Sequence, residues 1–228
     1  MTIMSDRLPQ GYTNRTRLVP GTTIVEKAYA GSDARARLDR EEQCLKLLAP
    51  VIRVPAVVAK DEARRALRLE FIKGIPGQLL LDGPSPDRVL TGVGSLLRLL
   101  QRDASSLLAP VLQGAGPVAV HGDFGPQNLL FDADFAVAGL LDWEFAHLGE
   151  EVEDLAWAEW IVRMHHERAI GSLDALFTGY GTRPAWPERH SAMLAQCELL
   201  RQRCETEGLL DAELMWRDRA QTTERWAE

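Results

Sequence analysis

The sequence predicts an α+β fold of two unequal lobes, a small β-rich lobe followed by a larger helical one. Up to residue 73, short β-like segments alternate with turn residues, and one helical segment covers residues 32–48. Beyond residue 74, hydrophobic residues recur with helical spacing over most of the chain. We therefore expect a first lobe of residues 1–73 and a second lobe of residues 74–228, joined by a connector rich in glycine and proline.

In the first lobe, four strands are predicted around the single helix. Residues 16–19 and 22–29 form β-like segments separated by a Pro-Gly turn, and residues 54–59 and 66–72 form two more. In the second lobe, helical periodicity marks a helix near residues 89–100 and four more at residues 151–168, 172–180, 187–207 and 211–225.

Composition narrows the class of protein. The chain has 228 residues, of which 46% are hydrophobic and 26% charged, an ordinary globular balance. A net charge of -7 argues against a surface that tracks nucleic-acid phosphates. No apolar run reaches the length of about 18 residues that a membrane helix requires, and no signal-peptide pattern opens the chain. We expect a cytoplasmic protein that binds neither nucleic acid nor membrane.

The segment HGDFGPQNLLFD, residues 121–132, carries the chemistry. Its glycines and proline predict a loop over residues 121–127, and an apolar strand begins at Asn128. A turn at residues 132–136 and a second apolar strand at residues 137–141 follow, closed by Asp142. Such a hairpin would bring the Asn128 amide beside the Asp142 carboxylate, with Asp123 on the loop just outside them.

This arrangement suits phosphoryl transfer. An amide oxygen and a carboxylate are ligands that Mg²⁺ accepts, and a further carboxylate that does not bind the metal could face an incoming hydroxyl. Asp123 and Asn128 have the same separation as the base and the metal-binding asparagine of the protein-kinase catalytic loop, and Asp142 begins Asp-Trp-Glu where those kinases have Asp-Phe-Gly.

The segments HGDFGPQN, residues 121–128, and GLLDWEFAHLGEEVEDLAW, residues 139–157, resemble the aminoglycoside phosphotransferase and choline kinase family. The resemblance covers roughly residues 8–160 and implies a protein-kinase-like fold with ATP and Mg²⁺ as cofactors. The implied activity is ATP-dependent transfer of the γ-phosphoryl group to a hydroxyl of a small molecule.

The sequence does not identify the small molecule that would accept the phosphoryl group. An aminoglycoside-type antibiotic is one candidate, and a choline-like, sugar or amino-alcohol metabolite is the alternative. A non-catalytic nucleotide-binding protein with a kinase fold is a third reading. The presence of Lys27, Asp123, Asn128 and Asp142 argues against this third reading, since such a protein would be expected to lose one of them.

The resemblance also implies nucleotide-binding residues in the first lobe. Gly11, Thr13 and Asn14 belong to a short Gly-x-x-Asn loop that would cover the phosphates. Lys27 would grip the phosphates, since strand alternation places it on one face with Thr23 and Val25.

Glu41 is the predicted partner of Lys27. It lies on the apolar face of the helical segment, whereas Glu42 falls one position off that face. An inward carboxylate requires a partner, and Lys27 is the natural one.

The remaining predictions concern the edges of the site. The backbone of Glu70 and Ile72 would hold the purine, and Glu144 is a candidate acceptor contact. His121 and Asp154 are interpreted as residues that brace the catalytic loop. The next helical pattern begins at Val152, only ten positions after Asp142, so no long activation segment fits between them.

Overall fold

The computed structural model describes residues 14–228 and has the predicted two-lobed architecture. The first lobe is a four-stranded antiparallel sheet of order β1-β2-β4-β3 with one helix. Its elements are β1 (Asn14–Leu18), β2 (Ile24–Tyr29), α1 (Ala34–Leu48), β3 (Val57–Asp61) and β4 (Ala66–Glu70). The predicted helix and strands of this lobe are thus all present, with ends shifted by up to three residues.

The second lobe begins with short elements and continues as helices. Its first part comprises β5 (Ile75–Pro76), α2 (Gly77–Leu81), α3 (Pro86–Leu99), a π-helical turn (Leu100–Ala104) and α4 (Ser105–Leu108). Four short strands follow, β6 (Val118–Val120), β7 (Leu129–Phe131), β8 (Val137–Leu140) and β9 (His147–Gly149). The chain then forms α5 (Val152–His165), a 3-10 turn (Glu167–Ser172), α6 (Leu173–Tyr180), α7 (Trp186–Thr206) and α8 (Leu210–Glu224).

The apolar periodicity explains how the helices are placed. Leu38, Cys44, Leu45 and Leu48 are all buried on one face of α1, against a core that extends into the second lobe. None of the helices in the described part of the chain combines the length and the apolar composition needed to cross a bilayer.

The predicted hairpin is formed by β7 and β8. Leu129 pairs with Leu140, and the Leu141 amide donates to the Asn128 carbonyl at 2.9 Å, which extends the ladder by one pair. The side chain of Asp132 caps the turn by accepting from the amides of Asp134 and Ala136, each at 2.9 Å. Asn128 therefore lies opposite Leu141, and Asp142 follows one residue beyond the end of the ladder.

The far end of α7 returns to the first lobe. Arg203 contacts Asp33 at 2.8 Å, and the carboxylate of Glu207 accepts from the backbone amide of Ser32 at 3.3 Å. Ser32 and Asp33 lie in the loop between β2 and α1. The end of α7 thus contacts the first lobe away from the connector after β4, and we call these contacts the α7 tether.

Helices α3 and α6 pack through glycines. A Cβ atom on Gly94 would lie 2.1 Å from the Leu176 carbonyl oxygen and 2.6 Å from the Tyr180 amide nitrogen. We expect Gly94→Ala to lower the free energy of unfolding by about 1–3 kcal/mol, the range for overpacking, as measured by urea denaturation.

Gly171→Ala is the matched control for Gly94→Ala. Its Cβ would meet no heavy atom within 4 Å, and the substitution should leave the free energy of unfolding nearly unchanged or slightly higher. Equal stability of the two variants would contradict the close packing of α3 on α6.

Candidate active site

The loop between β6 and β7 carries Asp123, and its shape depends on a glycine. Gly122 has a φ of +83°, and a Cβ there would lie 2.5 Å from the Phe145 carbonyl oxygen. No larger residue fits this position without displacing the segment that follows Asp142. This explains the glycine where protein kinases carry an arginine.

Asp154 and His121 brace the loop, as predicted. The Asp154 carboxylate accepts from the amides of His121 and Gly122 at 2.6 and 3.0 Å. The His121 ring bonds through Nε2 to the Leu141 carbonyl oxygen at 2.9 Å, so Nε2 carries the proton. Burial lowers the pKa of His121 to about 4, and the ring is therefore a neutral structural link between the loop and β8.

Three side chains donate to Asp123. Trp157 Nε1 and Gln127 Nε2 reach Oδ1 at 3.0 and 3.2 Å, and Asn128 Nδ2 reaches Oδ2 at 2.9 Å. Burial raises the pKa of Asp123 to about 6, and the charge of Asp142 acts in the same direction while the three donors oppose it. Asp123 is thus a fixed carboxylate whose pKa lies closer to neutrality than that of an ordinary aspartate.

Lys27 lies where the two lobes meet and is 5% exposed. Its ammonium contacts Glu41 at 2.6 Å and Asp142 at 2.7 Å, and Tyr29 also donates to Glu41 at 2.6 Å. Burial by itself would lower the pKa of Lys27, but the charges of Asp142, Glu41 and Glu144 outweigh it and raise the pKa. Lys27 is therefore a permanent cation beside the hairpin.

Glu41 rather than Glu42 pairs with Lys27, as the helical periodicity predicted. Glu42 instead contacts Lys46 and Lys60 on the surface side of α1. Burial raises the pKa of Glu41 to about 7. The charge of Lys27 opposes this rise, and the charge of Asp142 adds to it.

Glu144 occupies a different place from the predicted acceptor contact. It is 2% exposed, and its two carboxylate oxygens each accept from Asn14 Nδ2 at 2.8 Å. Arg37 Nη1 donates to the same carboxylate at 2.8 Å, and Arg40 donates to the Glu144 backbone carbonyl at 2.6 Å. This carboxylate is thus engaged inside the protein, and an acceptor contact by Glu144 stays a prediction that these contacts disfavour.

Asn14, predicted to belong to the loop that covers the phosphates, is the first residue of β1, and a phosphate contact by its backbone stays a prediction. It is buried, its amide nitrogen is engaged by Glu144, and its Oδ1 accepts from Arg37 at 3.0 Å. Both ends of the amide are thus occupied inside the protein. Gly11 and Thr13, the other two residues predicted to cover the phosphates, lie outside the described residues.

The hairpin end offers oxygen ligands for a divalent cation. Carboxylate oxygens of Glu41, Asp142 and Glu144 lie within 4.8 Å of one another, but Lys27 and Arg37 already engage the two glutamates. The Asp142 side chain is 34% exposed. Asn128 donates its Nδ2 to Asp123, so its Oδ1 is directed elsewhere and makes no hydrogen bond within residues 14–228. Asp142 and Asn128 therefore fit the oxygen donors that Mg²⁺ prefers.

The predicted purine-binding positions follow β4. The Glu70 amide donates to the Ala56 carbonyl at 2.9 Å, and the Glu70 side chain pairs with Arg53. Its N–H is therefore not free to meet a base. Ile72 is buried and packs against Gly139 of β8. A nucleotide contact by Ile72 stays a prediction.

A cavity of about 620 Å³ lies beside the β6–β7 loop, between α5 and α7. Gly122 and Trp157 border it on the side of the loop, and Gln196 of α7 donates to the Gly122 carbonyl at 3.0 Å. Glu150, Glu153 and Glu188 line it as well. Its volume is that of a typical small-molecule site.

Two residues of the site were not predicted from the sequence. Arg37 precedes Glu41 by four positions, and Trp157 follows Asp154 by three, so helical spacing places each on the face of a recognised site residue. This spacing was the available sign that the two residues belong to the site. It was not sufficient, because an arginine at such a position is equally compatible with a solvated face and a tryptophan with a packed core.

Arg37 is expected to stabilise the site through Glu144. Because Arg37→Ala would remove the cation that hydrogen-bonds the buried Glu144 carboxylate and leave Lys27 at 3.8 Å, it should lower the free energy of unfolding by about 3–5 kcal/mol, as measured by urea denaturation. Arg35→Ala is the control on the same helix, since Arg35 pairs with Asp39 on an exposed face, and it should change stability little. A tolerated Arg37→Ala would contradict this role.

Comparisons with known proteins agree with the geometry. The model of the Phosphotransferase enzyme family matches residues 101–191. No curated protein sequence matches the chain.

Solved structures match over nearly the entire chain. The complex of APH(2")-IIia with GDP and kanamycin has a TM-score of 0.77 at 13% identity, covering 98% of this chain and 94% of the other. Choline kinase LicA from Streptococcus pneumoniae has a TM-score of 0.71 at 13% identity, with 96% and 92% covered. Macrolide 2'-phosphotransferase MphH from Brachybacterium faecium has a TM-score of 0.60 at 18% identity, with 96% and 94% covered.

The family model covers the β6–β7 loop, the hairpin and α5, and the segment so matched contains Asp123, Asn128, Asp142 and Asp154. The structural matches extend the likeness to the first lobe. The resemblance to the aminoglycoside phosphotransferase and choline kinase family is thereby confirmed: the chain has the fold of these kinases, and residues 101–191 carry the sequence pattern of the phosphotransferase family.

Proposed function

We propose that the protein is an ATP-dependent kinase that transfers the γ-phosphoryl group to a hydroxyl of a small molecule. The observation that carries the proposal is that one fixed carboxylate, one permanent cation and two side chains with oxygen atoms lie at the end of the β7–β8 hairpin. Asn128 bonds Asp123 at 2.9 Å, and Lys27 bonds Asp142 at 2.7 Å. These are the groups that phosphoryl transfer requires.

Nucleotide binding falls to Lys27 and the hairpin end. Lys27, held by Glu41, would grip the phosphates that do not react. Asn128 and Asp142 would hold magnesium, which when bound neutralises phosphate charge. Similar folds have been solved with GDP, ADP and ATP, which supports a nucleotide at this place.

Asp123 would align the acceptor hydroxyl and receive its proton late in the reaction. A carboxylate is a weak base toward an alcohol even with a pKa of about 6. Its main contribution is therefore orientation of the nucleophile, with charge stabilised by the surrounding cations.

The cavity between α5 and α7 is the proposed acceptor site. Glu153 bonds His147 at 2.9 Å, but the carboxylates of Glu150 and Glu188 form no ion pair within the described residues. Two uncompensated carboxylates favour an amine-bearing acceptor over a neutral sugar. An aminoglycoside-type antibiotic is therefore the first candidate, and a choline-like or amino-alcohol metabolite is the second.

Screening tests the function directly. Thermal shift with ATP and Mg²⁺ should show stabilisation by the nucleotide, and ATP consumption should then be measured against aminoglycosides, amino alcohols and sugars. We expect turnover with an amine-bearing compound. Asp123→Ala should lower kcat at least about a hundredfold, as for loss of a general base, while stabilisation by the nucleotide persists.

Asp134→Ala is the control for Asp123→Ala, because Asp134 is an exposed aspartate in the hairpin turn. It should keep the kcat of the wild type. Stabilisation by nucleotide without turnover on any compound would instead favour a non-catalytic nucleotide-binding protein, and unchanged kcat in Asp123→Ala would refute the role of Asp123.

The pH dependence follows from Asp123. The ionised carboxylate is the form that can accept a hydrogen bond from the hydroxyl, and its pKa is raised to about 6. The kcat/KM for the acceptor should therefore fall as pH decreases through about 6, approaching a tenfold loss per pH unit. Circular dichroism at each pH would verify that the protein stays folded, and a flat profile between pH 5 and 8 would contradict the assignment.

A further inference from the structure

The two oxygens of Asp123 have unequal environments. Oδ1 accepts from Trp157 Nε1 at 3.0 Å and from Gln127 Nε2 at 3.2 Å. Oδ2 accepts from one side chain, Asn128 Nδ2 at 2.9 Å. Because a carboxylate oxygen has two lone pairs, Oδ1 is saturated and Oδ2 retains one position for a further donor.

The donor on Trp157 is held in a rigid assembly. Trp157 is 5% exposed, and its ring stacks on Trp160 with 4.4 Å between centroids and 9° between planes. Trp216 of α8 packs on both rings, and Trp160 Nε1 donates to Thr223 Oγ1 at 2.8 Å. The indole of Trp157 therefore cannot rotate away from Asp123 without disturbing a stack that links α5 to α8.

Helix α5 controls both the backbone and the side chain of the catalytic loop. Asp154 accepts from the loop amides at 121 and 122, and Trp157, one turn later, donates to Asp123. The same indole also borders the cavity proposed for the acceptor. The residue that orients the carboxylate is thus one of those against which an acceptor would lie.

We propose that Trp157 and Gln127 are positioning residues that saturate Oδ1 of Asp123 and so assign Oδ2 to the acceptor hydroxyl. The inference rests on the proposed kinase function. In the reaction, the acceptor oxygen forms a bond to the γ-phosphorus as the bond from that phosphorus to the ADP oxygen breaks. ADP leaves with the electron pair, and the hydroxyl proton passes to Oδ2.

A pair of tryptophan variants tests the positioning role in kinetics. Trp157→Phe removes the donor to Asp123, and Trp160→Phe removes a donor from the same stack that bonds Thr223 instead. We expect Trp157→Phe to lower kcat roughly ten- to a hundredfold, the value of a hydrogen bond to a charged group, with the KM for ATP unchanged. Trp160→Phe should lose stability to a similar extent but keep kcat.

Gln127→Met provides a second variant in case Trp157→Phe folds poorly. It removes the other donor to Oδ1 from a half-buried loop residue, and kcat should fall in the same direction with the KM for ATP unchanged. If Trp157→Phe and Gln127→Met both keep the kcat of the wild type, or if Trp157→Phe loses no more kcat than Trp160→Phe, the positioning role is overturned.

A spectroscopic measurement separates this proposal from the kinase function itself. The indole N–H signal of Trp157 in ¹H–¹⁵N spectra is identified by its absence from Trp157→Phe. It should move and exchange faster with solvent in Asp123→Ala, whereas the Trp160 signal should stay. A Trp157 signal indifferent to Asp123→Ala overturns the proposal whether or not the protein turns over. A wild-type protein without phosphoryl transfer, in which the signal does respond, overturns the proposed function while retaining the pairing of Trp157 with Asp123.

Discussion

Burial of the Lys27 ammonium between the two lobes is the constraint on which the rest of the site depends. A buried ammonium is costly unless carboxylates compensate it, and two segments supply them: α1 carries Glu41, and the stretch after β8 carries Asp142 and Glu144. Satisfying this one charge fixes α1 against β2 and fixes the end of the hairpin against both. Asp142 is the member of this group that also reaches solvent, so the cluster is open on the side of Asp142.

The position of α1 is set by buried ion pairs and does not depend on a mobile activation segment. Arg37 joins Glu144 to Asn14 and to Asp33, one turn before Glu41 on the same helix. In the β6–β7 loop, Gly122 stands where protein kinases have an arginine that could bind a phosphorylated residue. The backbone of Phe145 packs too closely on Gly122 for a side chain there. Short spacing between Asp142 and α5 agrees with this. We expect the site to be assembled without phosphorylation of the protein.

The elements and contacts that could be predicted from the sequence are those that depend on local or periodic interactions. The β7–β8 hairpin follows from turn residues between two apolar runs, and the Lys27–Glu41 pair follows from strand alternation on one element and helical spacing on the next. Both require knowing which face is apolar, and the sequence displays that directly. The strands β6 and β9 were not predicted, because three residues are too few to show a period.

The contact between Asn14 and Glu144 could not be predicted, for a different reason. The two residues are 130 positions apart, and each carries chemistry equally suited to a ligand, so no local pattern indicates that they pair with each other. Asp142 has a φ of 68°, a left-handed conformation that turns the chain. Glu144 consequently contacts α1, although its closeness to Asp142 in sequence suggested the cleft. Trp157 belongs to a tryptophan-rich helix, where packing accounts for an aromatic residue just as well as a hydrogen bond does.

The α7 tether affects how the two lobes can separate. A kinase with one connector between its lobes can hinge about that connector alone, but here the attachment from Arg203 and Glu207 to the loop before α1 must also stretch or break. Those contacts are partly exposed ion pairs and hydrogen bonds, which dissolved salt weakens. The rate at which spent nucleotide escapes would then depend on ionic strength, through residues that touch neither substrate.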